Sequence, residues 1–150
     1  MAITASEALA KLKRLPKTAD LRRSKREWVY FVQSCHGDPI VKIGRTYELG
    51  WRLVMLQTMS PVPLKLVGAV NCPRGAEYLF HKAFAADRLH GEWFAPSERL
   101  TTMIAALPKG GTLDLGEFRD LILALGVDTM TYAVALNRGT KRRNKDRIAA

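Results

Sequence analysis

Residues 28–46 read WVYFVQSCHGDPIVKIGRT. An apolar, aromatic-rich run over 28–34 gives way to a polar stretch with Gly37, Asp38 and Pro39, and a β-branched run over 40–44 follows. Branched and aromatic side chains fit a pleated, half-buried surface, and Gly with Pro supply the backbone angles of a reversal. The stretch therefore predicts a β-hairpin. Its strands carry two polar groups, the phenol of Tyr30 and the ammonium of Lys42. In an antiparallel pair they stand a few ångströms apart if the register puts them on one face.

The elements around the hairpin follow from periodicity. Leu49, Leu53 and Leu56 mark the apolar side of a helix from Leu49 to about Thr58, with Pro61 and Pro63 beyond its end. LKLVGAV, 64–70, reads as a third strand with a kink at Gly68. In PRGAEYLFHKAFAADRL, Ala76, Leu79, Phe80, Ala83 and Phe84 repeat at helical spacing behind Pro73, predicting a long helix. HGEWF is a short extended piece, and a helix opened by Pro96 covers about 97–107. PKGGT, 108–112, is the best internal boundary, with two short helices after it, over about 114–125 and 128–137. That tail resembles the paired helices of a helix-turn-helix. Upstream, residues 5–14 have a helical pattern, ended by Pro16 and followed by a basic linker. The organisation expected is a basic N-terminal helix and linker over 1–26, a central domain over 27–107 and a helical, basic C-terminal appendage over 112–150.

With 150 residues, 47% of them hydrophobic, the chain has the size and apolar content of one domain with appendages. No apolar run approaches the roughly 20 residues of a membrane helix. The N-terminal stretch lacks the apolar centre of a signal peptide, and two cysteines make no disulfide framework, so a cytoplasmic location is expected. His36, His81 and His90 with Cys35 and Cys72 fit no standard zinc spacing. The net charge of +10 is unevenly spread. Residues 1–26 hold eight Lys/Arg against two acidic residues and 138–150 six against one, while 27–137 hold ten against eleven. A balanced body with basic ends predicts a polyanion partner, most often nucleic acid, with charge alone leaving DNA and RNA both open, and no membrane. The expected contacts are Arg22, Arg23, Lys25 and Arg26 at one end and Lys141, Arg142 and Arg143 at the other.

Four polar side chains stand in otherwise apolar surroundings between residues 28 and 94: Tyr30, Lys42, Arg52 and Glu77. His81 lies one helical turn after Glu77 on the same face. A phenol, two cations and a carboxylate suit phosphodiester hydrolysis, which needs a base for water, positive charge for the phosphate oxygens and an anchor for Mg²⁺. Arg45 is a second candidate for the phosphate.

These residues resemble the GIY-YIG endonuclease superfamily, named for two tripeptides on adjacent strands of a small mixed sheet. Here Val29-Tyr30-Phe31 stands for the first and Lys42-Ile43-Gly44 for the second. The chain is most similar to the phage and bacterial branch in which KIG is followed by Arg or Lys and Thr, as in Arg45-Thr46, and which closes on GEWF, as in Gly91-Glu92-Trp93-Phe94. The resemblance spans about 28–100. It implies an α/β fold, a small mixed three-stranded sheet flanked by helices, with a short helical C-terminal appendage. It implies a Mg²⁺- or Mn²⁺-dependent DNA endonuclease, with Tyr30 as general base, as a phenolate or through water, Lys42 holding the nucleophilic water or lowering the phenol's pKa, Arg52 on the scissile phosphate, Glu77 as metal ligand and His81 assisting proton transfer. The alternative is a non-catalytic DNA-binding protein of the same fold.

Overall fold

The computed structural model describes residues 18–108 and 111–148, with residues 139–148 as helix backbone only. The helix expected over 5–14 lies outside the described residues. A short helix α1 (Thr18–Arg23) leads into the hairpin of β1 (Arg26–Ser34) and β2 (Val41–Thr46). Helix α2 (Leu49–Met59) crosses to β3 (Leu64–Pro73), and α3 (Ala76–Ala83) follows. A single 3-10 turn, Ala85–Asp87, precedes the short strands β4 (Arg88–His90) and β5 (Trp93–Phe94). The helices α4 (Glu98–Ala106), α5 (Leu115–Ala124) and α6 (Thr129–Ile148) complete the described chain.

The class is α/β, but the expected mixed three-stranded sheet is corrected to five strands in the order β3-β1-β2-β5-β4, with every ladder antiparallel. The reason lies in the place of β1. The strand–helix–strand path from β2 through α2 to β3 leaves those two strands pointing the same way, as a mixed sheet would need. β1 lies between them and runs against both, so these strands form no parallel ladder, and the parallel pairing among the described residues is the isolated Asn71–Thr112 bridge. The two extra strands are three and two residues long and partly exposed, too short to show alternation. Leu89, expected as the end of a long helix, lies on β4 and is exposed. The helix stops early because the chain at Asp87 is bonded elsewhere. Its carbonyl accepts from the Ala95 amide at 2.8 Å, and its carboxylate accepts from the Ser97 hydroxyl at 2.8 Å.

β1 is buried along nearly its whole length, as a central strand covered on both faces must be. One face sends Val29, Phe31, Val41, Ile43 and Val70 into a large core closed by Leu79 and Phe80 of α3, Leu100 and Ile104 of α4, Phe118 and Ile122 of α5, and Tyr132 of α6. The rings of Phe80 and Phe118 meet edge to face at 6.0 Å. The C-terminal helices therefore share the core of the central domain, and α5 starts on a capping box between Asp114 and Glu117. The other face buries Trp28, Tyr30, Val32 and Ala69 under Leu21 of α1 and Leu49 of α2. The candidate site lies where these two layers meet at the free part of β2.

Candidate active site

The hairpin register pairs Tyr30 with Gly44 and Val32 with Lys42. Directly opposed residues of an antiparallel pair share a face, so Tyr30 and Lys42 are diagonal neighbours on one side of the sheet. Gly44 is what lets the phenol lie across β2. A Cβ there would come within 2.7 Å of the Tyr30 ring carbon Cε2 and nearer still to the hydroxyl. The Tyr30 ring is fully buried, and its hydroxyl accepts from Arg52 Nε at 3.3 Å. That bond, with the charge of the phenol oxygen, strengthens the hold of the Arg52 guanidinium on its proton. Arg52 is exposed on α2, so it caps a buried phenol with a solvent-facing cation.

The opposite face carries the acidic part. Glu77, in the first turn of α3, meets Arg45 Nε at 3.0 Å. Arg45 Nη1 also lies 3.4 Å from Glu27 Oε2, and the Glu27 carboxylate accepts from the Gly75 amide at 3.3 Å. Burial pushes the Glu27 carboxyl up, opposed by Arg45. His81 Nε2 lies 2.9 Å from the Ile43 carbonyl and Nδ1 lies 3.3 Å from an Arg88 nitrogen. A carbonyl can only accept and a guanidinium only donate, so the ring is the neutral tautomer with its proton on Nε2. Burial, with the charge of Arg88, lowers the His81 pKa in agreement. Glu77 Oε1 stands 3.6 Å from Nε2, beside an uncharged ring rather than in an ion pair. Both ring nitrogens of His81 are thus engaged within the fold.

The two faces meet through a residue to which the sequence reading gave no role. β5 pairs with β2 only at Val41 and Lys42, so among the described residues the edge is open beyond Ile43, whose amide donates to the Glu92 carbonyl at 3.0 Å. Gly91, with φ of 55°, and Glu92 form the two-residue link of the β4–β5 hairpin. The turn aims the Glu92 side chain at this edge, where it takes a short ion pair from Lys42 and faces Glu77. Burial, then the charge of Glu92, pushes the Glu77 carboxyl up to about 7 against the pull of Arg45. Burial works the same way on Glu92, yet Lys42 holds it below the ordinary value. The two carboxylates compete for one charge, and the one with the lysine keeps it. Glu92 was legible only as part of GEWF. The signal that marks it is a Gly-Glu pair between two extended residues, His90 and Trp93.

Of the expected nucleic-acid contacts, Arg22, Arg23 and Lys25 are exposed. Arg26 is half-buried, and its guanidinium bonds the Asn71 side chain and the carbonyls of Asn71 and Leu113. Lys141, Arg142 and Arg143 lie on α6 with side chains outside the described residues. Among the described residues no three His, Cys, Asp or Glu side chains surround one point. Glu77 and Glu92 are hard oxygen donors of the kind Mg²⁺ takes, and that ion keeps several waters and needs only one or two carboxylates besides phosphate. The donor set fits Mg²⁺ or Mn²⁺ and does not fit a closed protein cage.

Residues 27–107, more than half of the chain, match the T5orf172 domain. The chain belongs to the T5orf172 domain family. The match runs from β1 to the end of α4 and contains Tyr30, Lys42, Arg45, Arg52, Glu77, His81 and Glu92, while the expected contacts at the two basic ends lie outside it. It overturns the GIY-YIG expectation, which rested on the order and spacing of two tripeptides together with Arg52, Glu77 and the closing HGEWF. The first tripeptide lacks its glycine, and the second has Lys42 in place of tyrosine. T5orf172 is a DNA-related domain of phage and bacterial proteins, in keeping with the basic ends of this chain. No curated protein and no solved structure matches the chain. Among the described residues no helix is long and apolar enough to cross a membrane.

Proposed function

We propose that this T5orf172 domain hydrolyses DNA phosphodiester bonds with Mg²⁺ or Mn²⁺ as cofactor. The observation that carries the reading is the meeting, at the open edge of β2, of the Tyr30–Arg52 pair with the Glu77–Glu92 carboxylates. Arg52 lies close enough to both carboxylates to feel their charge. A cation beside two acids beside an oriented hydroxyl is a site for a phosphate, a metal and a water.

Arg52 holds a non-bridging oxygen of the scissile phosphate, and Lys42 exchanges its bond to Glu92 for a second one. Tyr30, acting as the phenolate with its oxygen held by Arg52, takes one proton of the attacking water and becomes the neutral phenol, while that water's oxygen bonds to phosphorus. The bond from phosphorus to the leaving oxygen breaks, and bulk water protonates that oxygen. Glu77 and Glu92 would hold the divalent ion, which when bound neutralises phosphate charge and polarises water. His81 keeps α3 in register with β2 through the Ile43 carbonyl, and Arg45 keeps Glu77 turned toward the edge.

One observation favours a second reading, a DNA-binding protein without turnover. Lys42 is paired with Glu92 and Arg45 with Glu77 and Glu27, so two cations of the site are already neutralised by the fold. Nicking of supercoiled plasmid with Mg²⁺, Mn²⁺ or EDTA separates the two. The hydrolase reading requires metal-dependent nicking that Tyr30→Phe and Glu77→Ala abolish. Equal DNA binding by all three proteins with no nicking in any of them supports the second.

A further inference from the structure

Arg22, near the end of α1, and Arg74, between β3 and α3, both stand over the ring of Tyr47, with guanidinium carbons 5.2 and 5.3 Å from its centroid. Arg74 Nε also donates to the Tyr47 hydroxyl. Tyr47 follows β2 by one residue and is two residues from Arg45, which reaches Glu77. Among the described residues neither Arg22 nor Arg74 has a carboxylate within ion-pair distance. That sets them apart from Lys42 and Arg45, each bonded to a carboxylate, although Arg74 is near enough to Glu27 for its charge to lower that carboxyl. Two guanidiniums drawn to one ring repel each other, and a ring face returns only part of that cost. Stacking also fixes the planar forks in advance, so little side-chain freedom is lost when they grip an oxygen pair.

We infer that Arg22, Tyr47 and Arg74 form a ledge for the DNA backbone, taking phosphates that flank the one at the β2 edge. This rests on the reading of the domain as acting on DNA, and it assigns that substrate a direction: away from β2, over Tyr47, toward α1. Arg22 and Arg74 make the contacts, and Tyr47 is a positioning residue that holds both. Exposed Lys25, whose carbonyl accepts from the Arg74 amide at 3.1 Å, adds charge at the outer end. Contacts of this kind give affinity without sequence choice.

The test is affinity for a fluorescent DNA duplex against salt, in EDTA so that no cleavage intervenes. Each lost phosphate contact lowers the slope of log K on log salt by about 0.9. Arg22→Ala and Arg74→Ala should each lower it by about that amount and weaken duplexes of unrelated sequence alike. Tyr47→Ala should lower it too although it removes no charge, and Tyr47→Phe, which keeps the ring, should lower it less. Arg22 is exposed on its helix, so Arg22→Ala keeps the test valid if a Tyr47 variant unfolds in a thermal melt. Slopes and affinities equal to wild type in the folded variants would overturn the ledge, as would tighter binding of an RNA duplex or no binding of DNA by wild type. A wild type that binds through these residues but never nicks leaves the ledge standing and removes the hydrolase reading. Nicking with unaffected variants does the reverse.

Discussion

Glu77→Gln is expected to stabilise the fold above neutral pH and to leave it nearly unchanged in acid. Burial, then the charge of Glu92, moves the Glu77 carboxyl from 4.5 to about 7 in the folded chain. Between those values the folded state keeps a proton that the unfolded chain has released. Stability therefore falls as pH rises: the contribution is whole below the unfolded value and is lost as pH passes through the folded one. At 1.36 kcal/mol for each pH unit the full displacement is worth about 3 kcal/mol. Solvent still reaches 13% of the side chain. Screening and the shared charge with Glu92 bring the effect down to about 1–2 kcal/mol. Glutamine keeps the shape and cannot ionise, so it escapes the penalty. Urea unfolding of both proteins in EDTA, at about pH 5 and about pH 8.5, reads this directly, and the midpoint of the variant should gain roughly 0.5–1 M at the higher pH only. A variant less stable than wild type at high pH, or a gap equal at both, would refute the reasoning. A site residue whose removal stabilises the fold is expected where charge is held for function.

Two further substitutions test the packing around the site. Gly44→Ala drives a methyl into the Tyr30 ring and should cost about 1–3 kcal/mol in urea unfolding, with loss of the Tyr30–Arg52 contact. Phe118→Ala lies beyond the stretch matched by the T5orf172 domain, yet it should cost about 3–5 kcal/mol, because its ring is wholly buried against Phe80. A loss below about 1 kcal/mol, by thermal or urea unfolding, would mean that α5 rests on the core without completing it.

The hairpin, α2 and the third strand were legible because WVYFV, IVKIG and LKLVGAV are dense in branched and aromatic residues between clear turn signals. Tyr30, Lys42, Arg52 and Glu77 stood out for a related reason, as polar groups interrupting apolar runs. What was hidden has particular causes. β4 continues the apolar period of α3 through Leu89, and periodicity has no means to tell a strand of three residues from a helix end, while HGEWF was legible as extended but not as a strand added to the sheet. Glu92 owes its place to pairing between strands fifty residues apart. Arg26 counted as a surface cation by charge, but its backbone begins β1 beside Asn71, and the guanidinium turns inward. Tyr47 and Arg74 are separated by a helix and a strand, so their contact had no local trace. The family itself was misread for the same reason: short motifs report which residues face a strand pair, and that is shared more widely than any one family.

The account rests on turnover at the β2 edge. Its most direct test is the single-turnover rate on labelled genomic DNA, with protein in excess and Mg²⁺ present, for wild type and Glu77→Gln, alongside the affinity of each for the same DNA in EDTA. The account predicts metal-dependent cleavage by wild type, a rate lower by about two orders of magnitude or more in the variant, and affinities alike within about twofold. Binding without cleavage in wild type, or equal rates in the two proteins, would contradict it.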